Sequence, residues 1–152
     1  MHSFLLKRTD SDDPDFIALV RHLDAELAIR DGDEHAFYSQ FNKIANLKNV
    51  VVAYQDERAV GCGAIKPLEE NVMEVKRMFV FPEERGKGIA PRILSELERW
   101  ASELGARACC LETGMKQPEA IALYTKSGYE RIPNYGQYAG VENSVCFRKI
   151  LV

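Results

Sequence analysis

The sequence predicts a mixed α/β fold: one sheet packed by helices, in a single domain. Three observations carry this. Apolar runs of strand length recur along the chain, at residues 50–54, 72–81 and 108–112. Amphipathic stretches of helical spacing alternate with them, the clearest being Ile89, Ile93, Leu94, Leu97, Trp100, Ala101 and Leu104. The 152 residues suffice for one hydrophobic core and leave no room for a second of useful size.

Residues 4–8 read as a short first strand. Ser11, Asp12 and Asp13 offer capping side chains, and Pro14 suits a first helical position. Phe16, Ile17, Val20, Leu23 and Leu27 then recur at helical spacing, and the helix should end within residues 29–32. A second, shorter helix is expected over residues 34–45, with Phe37, Phe41 and Ile44 on one side and Tyr38 beside them. Residues 50–54 and 59–65 form a hairpin around a turn at 55–58. Gly61 and Gly63 in its second strand predict close packing against another segment. A longer strand over 72–81 leads through a loop, 82–88, into the strong helix, which Gly105 stops. The run at 108–112 is continuously apolar, as in a buried central strand. Pro118 opens another helix, with Ala120, Ile121 and Tyr124 inward and Gly128 as its stop. Short strands at 129–132 and 145–150 end the sequence, joined by a loop rich in Gly and Tyr. The order β-α-α-β-β-β-α-β-α-β-β argues a mixed sheet covered by helices.

Composition excludes several function classes. With 46% apolar and 28% charged residues, the chain is no disordered polymer. Lys plus Arg number 20 against 23 for Asp plus Glu, so a nucleic-acid partner is not expected. No apolar run has the length of a membrane span, and the first residues lack the parts of a signal peptide, so a cytoplasmic address and no membrane partner are expected. The cysteines form no C-x-x-C, and His2, His22 and His35 stand apart, so no metal site is expected. Cys109 and Cys110 point to opposite faces of one strand and read as buried thiols.

The segment with chemistry in it is Arg85-Gly86-Lys87-Gly88-Ile89-Ala90-Pro91, a glycine-containing loop between a strand and a helix. Its glycines let a ligand approach the backbone, the unpaired amides of a helix N-terminus attract anions, and Arg85 and Lys87 add positive charge. A phosphate-bearing ligand is implied. A P-loop would need Lys after Gly88, where Ile89 stands, and a dinucleotide fingerprint would need Gly where Pro91 stands.

Arg85 to Ala90 fits the pattern [RQ]-x-x-G-x-[GA], and this strand–loop–helix resembles the acetyl-CoA pyrophosphate loop of the GNAT N-acetyltransferase superfamily. Downstream, Ala120-Ile121-Ala122-Leu123-Tyr124-Thr125-Lys126-Ser127-Gly128-Tyr129 is similar to the family's A-x-x-L-Y-x-x-x-G-[FY] signature. The resemblance covers nearly the whole chain and is strongest over residues 72–129. It implies a mostly antiparallel central sheet flanked by helices, with acetyl-CoA as cofactor. Arg85, Gly86, Lys87, Gly88, Ile89, Ala90 and Pro91 would hold the pyrophosphate. Strands 72–81 and 108–113 would splay, leaving the backbone of Met78, Phe79 and Val80 to pair with the pantetheine and one amide to serve an oxyanion. Gln117 stands where the family often carries an Asn that contacts the cofactor arm. Lys87 and Lys126 are candidates for the adenosine 3′-phosphate.

The same resemblance makes Tyr124 the candidate general acid, although it also reads as a core tyrosine. Glu74 is the candidate general base, since an amine arrives protonated and must lose that proton before attack. Alternation places Glu74, Lys76, Met78 and Val80 on one strand face unless a bulge intervenes, and a surface Glu74–Lys76 pair is the other reading. Glu112 is the rival base or substrate anchor. Glu26, Arg30, Tyr38, Tyr135 and Tyr138 are candidate acceptor contacts, a set of acids and tyrosines suited to a small cationic amine. The implied activity is transfer of an acetyl group to a primary amine of a small molecule or peptide, by direct attack in a ternary complex. A non-catalytic acyl-CoA sensor would share these motifs, and an unrelated nucleotide-binding domain would share the loop. Homodimers are common in the family, which makes a second copy a candidate partner.

Overall fold

The structure is a computed structural model that describes residues 4–31 and 46–151. The expected helix at 34–45, with Phe37, Tyr38, Phe41 and Ile44, lies outside the described residues, as does the Arg30 side chain. The elements are β1 (Leu5–Thr9), α1 (Pro14–Asp31), β2 (Asn49–Gln55), β3 (Arg58–Glu69), β4 (Val72–Val80), α2 (Ile89–Glu103), β5 (Ala108–Gly114), α3 (Pro118–Lys126), β6 (Glu130–Ile132) and β7 (Ser144–Ile150). They form one sheet in the order β1-β2-β3-β4-β5-β7-β6. Each neighbouring pair is antiparallel except β4 and β5. The expected mixed, mostly antiparallel sheet is therefore the observed one. No helix among the described residues is long and apolar enough to cross a membrane.

Helices cover both faces of the sheet. On one, Phe16, Leu19, Val20 and Leu23 of α1 pack over Val50, Val52, Cys62, Ala64 and Phe79. Leu19 holds the place in the stripe that spacing assigned to Ile17, which is only half-buried. On the other, Ile93, Leu97 and Ala101 of α2 pack over Val51, Ile65, Val75 and Leu111. Leu104 is 54% exposed: it caps α2, where the chain is already turning away, rather than extending its apolar stripe. α1 starts as its sequence directs, with Asp13 Oδ1 accepting from the amides of Asp15 at 2.8 Å and Phe16 at 3.4 Å.

Gly61 and Gly63 allow α2 to approach the sheet. A Cβ on Gly63 would lie 2.5 Å from Met78 Sδ and 2.9 Å from Leu97 Cδ1. Opposite Gly63 the β3–β4 register shifts, between Cys62 and Ala64, and Arg77 takes a φ of +60°. This bulge reverses the alternation of β4.

Candidate active site

The site begins where strand pairing stops. β4 and β5 are paired only at Val72–Ala108, Met73–Cys109 and Glu74–Cys110. Beyond Glu74 the strands separate, while β5 stays paired to β7 as far as Gly114. Two cavities occupy the described residues around this gap. One, of about 480 Å³, runs along Met78, Phe79 and Val80 to the loop and the first turn of α2. The other, of about 110 Å³, lies over Glu74, Lys76, Glu112 and Tyr138. Leu23, Met78, Gln117, Ala120 and Tyr124 line both, so the two meet at the splay.

The larger cavity contains the phosphate-type loop. Gly86 and Gly88 have φ of +82° and +84°, which L side chains rarely adopt, and a Cβ on either would meet nothing within 4 Å. The backbone is thus bare where a bulky ligand group would rest. Gly88 caps α2, and Ile89, Ala90 and Pro91 form its first turn and line the cavity. The loop's two cations are already engaged. Arg85 donates through Nε to Val80 O at 2.9 Å and through one amino nitrogen to both oxygens of Glu26, at 3.0 and 2.8 Å. Lys87 Nζ donates to Glu84 at 2.8 Å, and Lys87 does not itself line the cavity. Glu26, expected at the acceptor, lies at this loop instead, because α1 crosses the splay. Lys126 is exposed at the end of α3 and lines neither cavity.

The smaller cavity is lined by charged groups. Glu74 is 2% exposed, so the reading of a surface Glu74–Lys76 pair does not hold. Tyr135 donates from its hydroxyl to Glu74 Oε2 at 2.7 Å, and Lys76 Nζ stands 3.9 Å from Oε1. The expectation that Glu74 and Lys76 share a face with Met78 and Val80 is also corrected. The Arg77 bulge puts Met78 and Val80 with the α2 core, whereas Phe79 joins the α1 side. Burial pulls the Lys76 ammonium below the ordinary lysine value, against the pull of Glu74 and Glu112. Glu112 accepts from Ser144 Oγ at 2.7 Å and lines the cavity. Tyr138 is buried there too, with its ring 5.9 Å from that of Tyr135 in an edge contact. Tyr135 therefore reaches the site by way of Glu74.

Tyr124 stands at the junction. Its ring is buried, edge-on to Tyr129 at 5.9 Å and tilted to Phe147 at 6.1 Å. Among the described residues its hydroxyl has no hydrogen-bond partner, yet it is not sealed away, so it opens on the cavities. Burial, then the Glu112 charge, pushes the phenol up from its ordinary value, so it keeps its proton at working pH.

Sequence reasoning assigned no site role to three residues that lie at the cavities. Leu23 roofs both cavities, Lys76 lies inside one, and Arg77 ties β4 to α1 through Asp24. Only the apolar spacing of α1 hinted at Leu23. The four cysteines are buried and free, and burial pushes the Cys62 and Cys109 thiols up to about 12, which disfavours a nucleophilic role.

The model of the Acetyltransferase (GNAT) family matches residues 16–129, from α1 to the start of the last hairpin. The chain belongs to the GNAT family. An acyl-CoA N-acyltransferase structure from Klebsiella pneumoniae superposes on this GNAT chain with a TM-score of 0.82, at 30% identity, covering 98% of each chain. The PaiA N-acetyltransferase of Thermoplasma acidophilum, solved with coenzyme A, shares the fold at a TM-score of 0.73 and 16% identity, over 97% of this chain and 99% of that one. Among curated proteins, the IAA acetyltransferase of Azospirillum brasilense is 44% identical over 89 residues, 58% of each chain. The N-acetyltransferase YjgM of Escherichia coli is 41% identical over 85 residues, 54% of this chain and 50% of its own. The GNAT chain thus spans about half the length of these two relatives. The GNAT family uses acetyl-CoA, and the open loop beside a long cavity is compatible with that ligand.

Proposed function

We propose that this GNAT chain is an acetyl-CoA-dependent N-acetyltransferase that modifies a primary amine by direct attack in a ternary complex. The observation that carries the reading is the meeting of two cavities at Tyr124: a long one for the acyl donor and a compact, charged one for the acceptor. Gly86, Gly88 and the first turn of α2 would hold the pyrophosphate, joined by Arg85 once Glu26 yields. The open edge of β4 at Met78, Phe79 and Val80 would pair with the pantetheine, and Gln117 would touch the same arm. Acetyl-CoA supplies a thioester carbonyl open to attack by an amine.

The chain's own groups manage the protons. Glu74 accepts the proton of the arriving ammonium at Oε1, since Oε2 is held by Tyr135. Tyr124 holds a proton at its hydroxyl where the two cavities join, ready for the negative charge that develops there. Leu23 and Leu27 cover the acceptor cavity and help exclude water. Cys109 and Cys110 have no part in this scheme.

The test is thermal unfolding with and without ligand, followed by the mass of the product. Acetyl-CoA at about 100 times its Kd adds about 2.7 kcal/mol. That raises Tm by roughly 5–10 °C for a domain of this size. The expected result is a shift with acetyl-CoA and CoA but not with ATP or NAD, and an amine product heavier by one acetyl group. A shift without product from any amine would favour a sensor module. No shift would overturn the reading.

A further inference from the structure

Tyr135 comes from the loop between β6 and β7, yet its hydroxyl donates to Glu74 Oε2 of β4 at 2.7 Å. The loop is built to aim it. Asn134 Nδ2 donates to the carbonyls of Val141 at 2.9 Å and Ser144 at 3.1 Å, which ties the start of the loop to its end. The Tyr138 amide donates to Tyr135 O at 2.9 Å and closes a short turn between them. The Tyr135 ring packs between two apolar clusters, against Tyr138 and Cys146 in one and Val72 and Cys110 in the other. A ring so confined has already lost its rotamer freedom, so meeting Glu74 costs little further ordering. Glu74 needs that donor. Its side chain is 2% exposed, and a buried carboxylate is costly without a hydrogen-bond partner. A phenol hydrogen bond stabilises the anion over the neutral acid and fixes one oxygen, so Oε1 is the one left to accept a proton. Burial, then the Glu74 charge, pushes the Tyr135 phenol above the ordinary tyrosine value, so it remains a donor at working pH.

We infer that Tyr135 is a positioning residue for acetyl transfer: its hydroxyl keeps Glu74 ionised and holds Oε1 toward the acceptor cavity. This rests on the reading of Glu74 as the base. Around Glu74 stand Lys76 on its own strand, Lys66 on β3, Cys110 and Glu112 on β5, Cys146 on β7 and Tyr138 on the same loop. α1 adds Leu23 and Leu27 there, neither of which titrates. Tyr135→Phe alters none of these groups, so a pH shift relative to wild type reports the lost hydroxyl.

The experiment uses the full chain with carbon-13 at the glutamate side-chain carboxyls, and the resonance missing from Glu74→Gln is that of Glu74. Its pH titration is followed by NMR in wild type and in Tyr135→Phe. In parallel, kcat/KM is measured against pH with saturating acetyl-CoA and the best-used amine from a panel of amino acids, diamines and arylalkyl amines. Loss of a donor to the anion lets Glu74 take up its proton at higher pH. The titration midpoint and the acidic limb of kcat/KM should therefore both rise by about one pH unit in Tyr135→Phe, a fall of about tenfold in kcat/KM on that limb. In a Glu74→Gln background, Tyr135→Phe should cost no more than about twofold. A meta-fluorinated tyrosine placed at Tyr135, a more acidic donor on the same ring, should move midpoint and limb the other way, and it decides if Tyr135→Phe does not fold. An unmoved midpoint, a loss equal at every pH, or the same loss in the Glu74→Gln background overturns the inference and leaves Glu74 as the base. Unchanged kcat/KM in Glu74→Gln removes the base reading and this inference with it. No response to acetyl-CoA removes acetyl transfer itself.

Discussion

In the proposed scheme Tyr124 offers a proton and Glu74 accepts one, so their substitutions should be read separately. Tyr124→Phe keeps the ring contacts with Tyr129 and Phe147 and removes only the hydroxyl at the cavity junction. Its kcat should fall about 100-fold while the acetyl-CoA-induced rise in Tm persists. Glu74→Gln should lower kcat/KM for the acceptor by a similar factor of about 100, again with cofactor binding intact. Stopped-flow rates with calorimetric affinities separate the two effects. Away from the site, Asp13 governs a pH dependence. Burial works against its charge, but Lys7 at 2.7 Å and the amides of α1 outweigh this and hold it below the ordinary aspartate value. A depressed carboxylate stabilises the fold above its unfolded pKa, and that contribution is lost as pH falls through the folded value. Asp13→Asn keeps a capping oxygen without the charge. The Tm advantage of wild type over this variant should be full near neutrality and shrink as pH falls below about 4, read from thermal scans across pH.

At the level of elements, β4 is the component whose local distortion matters most. Its bulge at Arg77 moves Met78 and Val80 to one side and leaves Glu74 on the other, so one strand serves both cavities. The glycines opposite are part of the same arrangement. Gly63→Ala would force a methyl group against Met78 and Leu97, and such overpacking costs about 1–3 kcal/mol. A Tm lower by roughly 2–12 °C is expected. Gly88→Ala meets no neighbour but must hold a φ of +84°, a strain of about 1–2 kcal/mol. It should also place a methyl group at the proposed pyrophosphate site. Its signature is a loss of acetyl-CoA affinity larger than its loss of stability, whereas Gly63→Ala should show the reverse.

Over the whole molecule, α1 links the two halves of the site. Its Leu23 faces both cavities, Asp24 holds Arg77 of the bulge, and Glu26 holds Arg85 of the loop. A ligand phosphate that recruits Arg85 must compete with Glu26. That pair is partly exposed, at 36% and 26%, so its worth is at most about 1 kcal/mol. Glu26→Gln should therefore tighten acetyl-CoA binding by up to about fivefold, measured by titration calorimetry at low salt, and the gain should shrink as salt is raised.

The sequence by itself determined what depends on neighbours along the chain. The strand and helix order, the Asp13–Pro14 helix start, the glycine loop into α2 and the helical register of Tyr124 all rest on φ preferences, caps and spacing, which act over a few residues. The family likeness extended that reading to the roles of the loop and Tyr124. Tertiary structure alone decided the rest. The bulge at Arg77 answers the close packing of Gly63, Met78 and Leu97, which no residue of β4 announces by itself. Glu74 became a buried group because Tyr135, far along the chain, folds back onto it. Arg85 lost its independent charge to Glu26 on a different helix. Lys76, which in sequence reads as half of a surface pair with Glu74, lines the smaller cavity among residues of α1 and β5. Each of these depends on which distant side chains the fold brings together, and spacing along the chain does not specify that.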